Sequence, residues 1–528
     1  MQIVSSSLIT TQMPPAAKPG SKLAPPEAKW HAPAPRDAFR RLGAALLALP
    51  LAFAASAFAQ ENNLYVGDTL NPSGQHDSMG GDKTYDNIYV GFADDGSDND
   101  LELLTGSRVR AKSVQVGVGE ETLWNHINLR DDSRLRAGSV VVGSGKNASG
   151  NYIDLEGDSR LQAGSIEVGS GKSAASNNIR LQQDSRLRAE TIEVGSGKDA
   201  KWNSISLLGN SRLRAESIVV GSGENAEANN LNLNNDARLQ VGSLEVGSGK
   251  NAQLNNVNLR NDSRMEAESL LLGSGAGAHM NNFFVRDSSQ LLAASVQAGA
   301  GEGAFYNRIH VYARMEADSV QLGAGAGSYE NMLAVYGTGT LIADALYVGA
   351  ADESWNNLLW IEKGGSAVVK DFHLAKDNAV AIEGTLAIER TLVLAIDSKT
   401  QYTRFGADPS QLYFASIDSL LEFDGGGDIV FGDGMKLTIT INGLLELEEG
   451  DTFEIISSGL TMGSEWINGE TYYGQDSEYI YEFTALASGG KLLLTVTGIT
   501  PIPEPHTCLL LAASAALALA LRKRGRRD

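Results

Sequence analysis

The chain of 528 residues has a single cysteine, Cys508, which lies near its C-terminal end. One cysteine excludes a disulfide framework and a cysteine-based metal site within one chain. Positive charge is also scarce, because 43 lysines and arginines stand against 64 acidic residues and leave a formal net charge of −21. A chain with this excess of negative charge is repelled by phosphates and by anionic lipid, so we expect no nucleic-acid partner.

The N-terminal segment has the three parts of a secretory signal peptide. A basic stretch precedes an apolar run over residues 42–58, and Ala57-Phe58-Ala59 forms a small-residue cleavage site. The basic residues are Arg36, Arg40 and Arg41. The alternative is a transmembrane anchor, but the apolar run is short for a membrane span. We therefore predict that residues 1–59 are an extension followed by a signal helix, which is cleaved after Ala59 on export.

The central region consists of one repeated unit. A glycine, usually preceded by valine, returns at a constant 26-residue interval. The glycines of this series are Gly91, Gly117, Gly143, Gly169, Gly195, Gly221, Gly247, Gly273 and Gly299. Gly67 and Gly323 extend the series at a 24-residue interval, and Gly349 follows at the regular spacing. A fixed period of this length is the signature of a repeat architecture such as a solenoid.

One unit, residues 222–247, contains three short bursts of apolar residues that alternate with polar ones. A period of two predicts a strand with one face turned inward. The sequences between the bursts are Asn-Asn-Asp, Gly-Ser and Gly-Ser-Gly, which favour turns. Three strands and three corners within each repeat predict one coil of an all-β, parallel β-solenoid. The usual crossover preference predicts that the solenoid is right-handed.

Stacking of the coils turns equivalent positions into columns about 4.8 Å apart. Two apolar columns, which include Ile127 and Leu135, should fill the inside. An asparagine eight residues after the repeat glycine should form a hydrogen-bonded ladder of side-chain amides, and the alternative is a row that binds a ligand. This column is Asn125, Asn151, Asn177, Asn203, Asn229, Asn255, Asn281, Asn307, Asn331 and Asn357.

Charged residues also recur at fixed positions outside the predicted core. The arginine column is Arg108, Arg134, Arg160, Arg186, Arg212, Arg238 and Arg264. Aspartates stand two residues before five of these arginines, at Asp132, Asp158, Asp184, Asp236 and Asp262. Because like charges one coil apart repel, we expect the adjacent acidic column to offset the arginines. The pattern is typical of a solvated charged face, and the alternative is a stripe that binds acidic polysaccharide.

The period fades after residue 365, although alternating segments and glycine turns continue. We predict a solenoid over residues 60–364 and irregular β coils with a C-terminal cap over residues 365–499. The cap is expected because an open end of the solenoid would invite aggregation.

We find no motif that indicates catalysis, a cofactor or a metal. Gly-Ser-Gly-Lys at 169–172 lacks the earlier glycine of a phosphate-binding loop, whose position is taken by Ile166. Acidic loops at 94–102 and 424–434 have oxygen ligands suited to Ca²⁺, but we interpret them as solvated loops. The histidines share no metal-ligand spacing, and His126 is interpreted as a packing variant. Coils that begin at Gly91 to Gly299 keep one pattern without a carboxylate cluster, so we predict no enzyme and no cofactor.

The last residues combine a proline-rich motif, an apolar run and a basic end. The motif is Pro503-Glu504-Pro505, and the apolar run covers residues 508–521. The basic residues are Arg522, Lys523, Arg524, Arg526 and Arg527. This order resembles the PEP-CTERM sorting signal of exported proteins of Gram-negative bacteria. The two prolines keep the motif extended, and the arginines hold the C-terminus in the cytoplasm.

The resemblance implies that residues 500–528 form a sorting tail with an apolar helix. Pro503, Glu504 and Pro505 would then be the recognition element of an exosortase, an integral-membrane protease that cuts the precursor from the inner membrane. The resemblance also implies a link to extracellular polysaccharide and biofilm. The alternative is a permanent membrane anchor.

The repeats resemble, in pattern alone, the passenger regions of autotransporter-type adhesins. We therefore predict an exported protein that is first tethered to the inner membrane and then reaches the cell surface or extracellular matrix, where it is a structural or adhesive element. Two alternatives stay open. One is a polysaccharide-degrading enzyme that uses carboxylates of the region 365–499. The other is a carbohydrate-binding module that uses arginine and aromatic positions along one face.

Overall fold

The computed structural model describes residues 62–71, 73–351, 353–375, 377–397, 428–431, 436–442, 449–450, 452–456, 460–461, 470–475, 478–488 and 491–502. All of them belong to one compact unit, Glu61–Asp528. Within these ranges every regular element is a strand. The predicted signal helix and sorting helix lie outside the described residues.

Two parallel sheets form the body of the protein, which confirms the predicted all-β, parallel β-solenoid. Sheet 1 has 20 strands and sheet 2 has 13. The strands of sheet 1 are β1 (Leu64–Val66), β3 (Asp82–Thr84), β4 (Asn87–Val90), β6 (Arg108–Val116), β8 (Arg134–Val142), β10 (Arg160–Gln162), β11 (Ser165–Val168), β13 (Arg186–Arg188), β14 (Thr191–Val194), β16 (Arg212–Val220), β18 (Arg238–Val246), β20 (Arg264–Leu272), β22 (Gln290–Ala298), β24 (Arg314–Leu322), β26 (Thr340–Val348), β28 (Ser366–Leu374), β30 (Thr385–Asp397), β31 (Asp428–Phe431), β32 (Lys436–Asn442) and β34 (Leu460–Thr461).

Sheet 2 contributes one strand to each coil from the N-terminal end of the solenoid up to β29 (Ala379–Ile382). Its strands are β2 (His76–Met79), β5 (Asp100–Leu103), β7 (His126–Leu129), β9 (Tyr152–Leu155), β12 (Asn178–Leu181), β15 (Ser204–Leu208), β17 (Asn230–Asn234), β19 (Asn256–Arg260), β21 (Asn282–Val285), β23 (Arg308–Val311), β25 (Met332–Val335), β27 (Leu358–Ile361) and β29 (Ala379–Ile382).

The pairing register reproduces the period of the sequence. Asp100 pairs with His126, and every later pair in sheet 2 keeps the same interval up to the pair of Asn282 with Arg308. The coil that follows is two residues shorter, because Arg308 pairs with Met332. The 24-residue interval that precedes Gly323 therefore corresponds to one short coil.

The prediction of three separate strands per coil is correct for three coils and wrong for most others. The second and third bursts remain separate as β3 and β4, as β10 and β11, and as β13 and β14, but in the other regular coils they fuse into one strand of nine residues. The bend between the bursts therefore does not regularly end the strand.

The bend keeps its hydrogen bonds to the next coil in both kinds of coil. The carbonyl of Glu190 accepts hydrogen bonds from the amides of Glu216 and Ser217, each at 3.0 Å. The carbonyl of Gly164 likewise accepts from the amides of Glu190 and Thr191, at 3.0 and 3.1 Å. The second and third bursts thus form one hydrogen-bonded side of the coil, and both belong to sheet 1.

The interior of the solenoid is aliphatic. One coil contributes Ile205 and Leu207 from β15 and Leu213, Ile218 and Val220 from β16, and all five are at most 2% exposed. Alternation along each strand places these residues inside and their polar neighbours outside. A single coil has nothing to cover this inner surface, so the free energy of folding comes from contacts between neighbouring coils.

The asparagine column forms the predicted ladder. The Asn177 side chain donates to Asn203 Oδ1 at 3.0 Å and to the Ala148 carbonyl at 3.0 Å. The backbone amide of Asn177 also donates to Asn203 Oδ1, at 3.1 Å. The same pattern continues from Asn99 to Asn378, two residues that the sequence analysis did not include. Every asparagine of the ladder is fully buried, and its amide is satisfied by the coils on either side.

The repeat glycine is required by this ladder. Gly195 has a φ of +71°, and a Cβ built on it would lie 2.3 Å from the Asn229 amide carbon. Both the left-handed backbone and the contact exclude a larger residue at this position. Gly195 and Asn229 therefore belong to one packing unit that joins neighbouring coils.

The period changes towards the C-terminal end, as the sequence predicts. Strands continue to stack after residue 365, but Leu358 pairs with Ala379, at a shorter interval than in the regular coils. A bulge between Val369 and Asp371 interrupts the pairing of β28 with β30.

Sheet 3 follows the last described strands of the solenoid. It is antiparallel and consists of β33 (Thr452–Ile456), β35 (Thr471–Gln475), β36 (Tyr479–Ser488) and β37 (Lys491–Pro501). Its buried Tyr481 and Phe483 belong to the same hydrophobic cluster as the solenoid interior.

The buried asparagine column and the buried serine column are expected to respond differently when one side chain is replaced by alanine. Asn203→Ala removes the partner of two donors on Asn177, so we expect it to lower the free energy of unfolding by about 3 kcal/mol or more. Ser211→Ala should leave the stability nearly unchanged, because the Ser211 hydroxyl has no hydrogen-bond partner in the described part of the chain and Ala237 fills the equivalent position one coil later. Urea unfolding of both variants measures the difference. Equal losses of stability in the two variants would show that the amide ladder contributes no more to stability than the serine column does.

Candidate functional site

The predicted arginine column lies on the outer face of sheet 1, in register. Arg186 pairs with Arg212, Arg212 with Arg238, and Arg238 with Arg264. Strand alternation points the arginines to solvent because the leucines between them, such as Leu213, fill the interior. Guanidinium groups therefore recur at each coil step of about 4.8 Å along the rod.

A second arginine column runs beside the first and was missed by the sequence analysis. It consists of Arg110, Arg136, Arg188 and Arg214, which are two residues after members of the first column. Arg188 pairs with Arg214 in register. The signal was present as the recurring Arg-x-Arg, since residues two apart in a strand lie on the same face.

The acidic column lies beside these arginines but does not form salt bridges with them. Among the residues that the structure describes, no arginine from Arg108 to Arg238 in the first column forms a salt bridge, and neither does the second column. Arg264 is the exception, with its Nη2 2.8 Å from Glu266 Oε1. The aspartates stand at a turn before the strand, where Asp236 and Asp262 have a φ of 62°. They therefore do not follow the alternation of the strand that carries the arginines.

A shallow groove of about 630 Å³ lies over the two arginine columns. Six arginines and three carboxylates line it. The arginines are Arg186, Arg188, Arg212, Arg214, Arg238 and Arg264, and the carboxylates are Asp236, Asp262 and Glu266. Positive charge thus prevails locally in a chain whose formal charge is −21. An exposed, planar guanidinium is suited to bind a carboxylate through two parallel hydrogen bonds.

The aromatic residues form a ladder at another place. His279, Phe305, Tyr329 and Trp355 stack with centroid distances of 4.7, 5.0 and 4.7 Å and interplanar angles of at most 4°. They lie at the corner that precedes sheet 2 and not beside the arginine columns. Because the rings cover one another's faces, a sugar ring has no open face to stack on between them.

A cluster of titratable groups lies on the outer face of sheet 2, near the N-terminal end of the solenoid. His126 Nε2 is 2.9 Å from Asp100 Oδ1, and the His126 ring stacks on Tyr152 at 4.8 Å. Asp154 Oδ1 is buried and has no hydrogen-bond partner among the residues that the structure describes. Burial raises the pKa of Asp154 above its ordinary value, and burial likewise raises the pKa of Tyr152.

The sequence did not indicate this cluster, and the expectation that no carboxylate cluster interrupts the repeat of the regular coils stays a prediction. The members occupy repeat positions that are polar in other coils too, so no break in the pattern marked them. In the described part of the chain, no three His, Cys, Asp or Glu side chains are arranged to hold a metal ion.

The predicted sorting residues lie outside the described residues. These are Ala57, Ala59, Pro503, Glu504, Pro505, Arg522, Lys523, Arg524, Arg526 and Arg527. Strand β37 ends at Pro501, shortly before the predicted motif. No helix in the described ranges has the length and apolar character needed to span a membrane. The Gly-Ser-Gly-Lys segment is a solenoid corner, where a Cβ on Gly171 would overlap the Gly145 carbonyl oxygen at 1.9 Å.

Comparison of the chain with protein-family models, with curated proteins and with solved structures gives no match.

The pKa of Asp154 predicts a pH-dependent effect of its replacement by asparagine. The native state binds a proton more tightly than the unfolded chain, so the native state loses stability as the pH rises from 3.8 through the raised pKa. Asp154→Asn removes this loss, and asparagine is compatible with the site because Asn258 donates to Asn232 in the same column. We expect the variant to be more stable than the parent at pH 7 and equal to it below pH 3.8.

Thermal unfolding across this pH range measures the difference between the two chains. Asp184→Asn, on an exposed turn, controls for the loss of one negative charge. A difference in stability that grows as the pH falls would contradict the assignment.

Proposed function

We propose that this chain is an exported β-solenoid that serves as a structural or adhesive element of an extracellular matrix and binds acidic polysaccharide along its arginine columns. The observation that supports this proposal is the row of exposed arginines in register, from Arg108 to Arg238, that form no salt bridges with other described residues. Because no described carboxylate lies at salt-bridge distance from them, these guanidinium groups are available to an anionic ligand, whereas Arg264 is already paired with Glu266.

The repeat suits the binding of a polymer. A polysaccharide presents the same group at regular intervals, and the solenoid presents guanidinium groups at intervals of about 4.8 Å. Each exposed ion pair is weak, with a typical value of at most about 1 kcal/mol. Several contacts made by one polymer act together, because the first contact raises the effective concentration of the next. The proposed solenoid is right-handed, in line with the crossover preference.

Export is the second part of the proposal. The signal peptide would direct the chain out of the cytoplasm. The tail would then hold the precursor in the inner membrane until an exosortase cuts at the motif around Glu504. The supporting observations are the order of the sequence elements and the position of the motif directly after β37. The mature rod would reach the cell surface or matrix of a Gram-negative-type bacterium.

An enzyme acting on polysaccharide is the second candidate, and the cluster around Asp154 is the observation that favours it. A carboxyl with a raised pKa beside a histidine–carboxylate pair is a feature of general acid–base sites. The cluster lies on sheet 2, whereas the arginine columns lie on sheet 1. Turnover and binding can therefore be separated by mutation.

Binding to acidic glycans should depend on the central arginines. We expect Arg186→Ala and Arg212→Ala each to weaken binding by up to about fivefold at low salt, because each removes one exposed ion pair with the polymer. Binding should also weaken as the salt concentration rises. Arg314→Ala is the matched control, since Arg314 is already paired with Glu316. The measurement is titration of the full chain with acidic and neutral glycans. Salt-independent binding, an equal effect of the control, or turnover lost in Asp154→Asn would contradict the proposal.

The sorting tail should determine where the chain resides. We expect the full chain to pass through the membrane fraction and then reach the cell surface, and a chain without residues 500–528 to be absent from the membrane fraction. Cell fractionation of a bacterium that contains an exosortase measures this. A Glu504→Ala chain that stays in the membrane fraction would support cutting at the motif. If the full and the truncated chains occupy the same compartment, the sorting proposal fails.

A further inference from the structure

The groove over the arginines is flanked by free hydrogen-bond acceptors. Asp236 and Asp262 line one side of it. Neither carboxylate accepts a hydrogen bond from, or forms a salt bridge with, any other residue that the structure describes. On the side of the bend, Glu190 and Glu216 line the adjoining groove together with arginines of the second column. The two arginine columns thus run between two rows of carboxylates.

This arrangement places two demands on a ligand. The arginines are donors and favour an anionic group at the centre. An ionised carboxylate only accepts hydrogen bonds, so the rows beside the arginines favour hydroxyl or amine donors and repel further anions. A polymer whose backbone is anionic throughout, such as polyphosphate, satisfies the first demand and fails the second.

We infer that the groove selects a polyuronate, a polysaccharide with one carboxylate and free hydroxyl groups on each sugar. This inference rests on the proposed function and names the polymer that the arginine columns bind. A pyranose residue is about as long as one coil step of about 4.8 Å. The uronate carboxylates that face the groove therefore meet arginines of the column, such as Arg186, Arg212 and Arg238, while the sugar hydroxyls donate to Asp236 and Asp262.

The end of the groove at Arg264 limits the length over which a polymer can bind. Glu266 pairs with Arg264 and lines the groove, and Gln290 takes the arginine position in the next coil. Further along, Arg314 is likewise paired with a glutamate. The run of unpaired arginines therefore stops at Arg238, and we place the bound polymer on the coils up to and including that of Arg238, with Asp262 at its end.

Substitutions of Asp236 distinguish the effect of its hydrogen-bond acceptor on binding from the effect of its negative charge. Asp236→Asn keeps an acceptor and removes the charge, whereas Asp236→Ala removes both. Both variants are compatible with the fold, because Asn210 occupies the same column and Ala228 adopts a similar left-handed backbone with a φ of 55°. Asp199→Ala, at another corner, matches the charge change and is the control.

The experiment measures the affinity of the full 528-residue chain for an oligogalacturonate and for a polyphosphate of equal charge, at one ionic strength. We expect the parent chain to prefer the oligogalacturonate. Asp236→Ala should lower that affinity about tenfold, as expected for one charged hydrogen bond, while Asp236→Asn lowers it less. Both variants should bind polyphosphate more tightly than the parent does, since a repelling charge is gone.

Each other outcome overturns the inference. If the parent chain binds polyphosphate as tightly as oligogalacturonate, or if Asp236→Ala strengthens binding of both polymers, the carboxylates only repel and the groove does not select uronates. An effect of Asp199→Ala equal to that of Asp236→Ala would also contradict the assignment. These results leave the proposed function intact as long as Arg212→Ala weakens binding. If the parent chain binds neither polymer, that result contradicts the proposed function itself, and the inference is contradicted with it.

Discussion

The structure depends on strict alignment of equivalent residues from coil to coil. The amide ladder exerts this constraint most directly, because a buried asparagine such as Asn203 is satisfied only when its counterparts lie one step above and below it. A shift by one residue would leave several buried donors without acceptors, at a cost of about 1–3 kcal/mol each. The repeat glycines reinforce the register, because a Cβ on them would collide with the amides of the ladder.

The same alignment has a consequence on the outside. Once the interior is in register, every outward residue also forms a column, whether or not its neighbours attract one another. Asparagine and aromatic columns gain contacts from this, as in the pairs Asn232–Asn258 and Phe305–Tyr329. Arginine columns lose energy from it, because like charges lie one step apart. The fold thus imposes the proximity of neighbouring arginines, and binding of the anionic polymer that we propose would relieve this repulsion.

Much of the fold could be predicted from the sequence because a repeat offers the same signal many times. The period, the inward columns and the asparagine ladder all follow from spacing. Asn378 could not be found in this way, because its coil is shorter than the regular repeat and loses the constant interval. The fusion of two strands into one was not predictable either. Gly242-Ser243 has the composition of a corner, yet hydrogen bonds such as those to the Glu190 carbonyl carry the pairing through the equivalent bend.

The candidate site could be predicted only in part. The first arginine column was evident from its period, and the second was available in the recurring Arg-x-Arg. The absence of ion pairs to the aspartates depends on the left-handed turn at residues such as Asp236, which the sequence alone does not fix. The cluster of His126 and Asp154 was hidden because polar residues are ordinary at those positions. The arginine columns and the cluster of His126 and Asp154 are recognised from which residues pair across neighbouring coils, and residue type alone does not indicate them.

Arginine footprinting tests the central claim most directly. The full chain is treated with an arginine-specific dicarbonyl reagent with and without an oligogalacturonate, and modified peptides are quantified by mass spectrometry. The account predicts that the polymer protects Arg186, Arg212 and Arg214 and leaves Arg286, which lies over the Phe284 ring on the other sheet, equally reactive. Protection of Arg286 with no change at Arg212 would contradict it, since the polymer would then bind elsewhere.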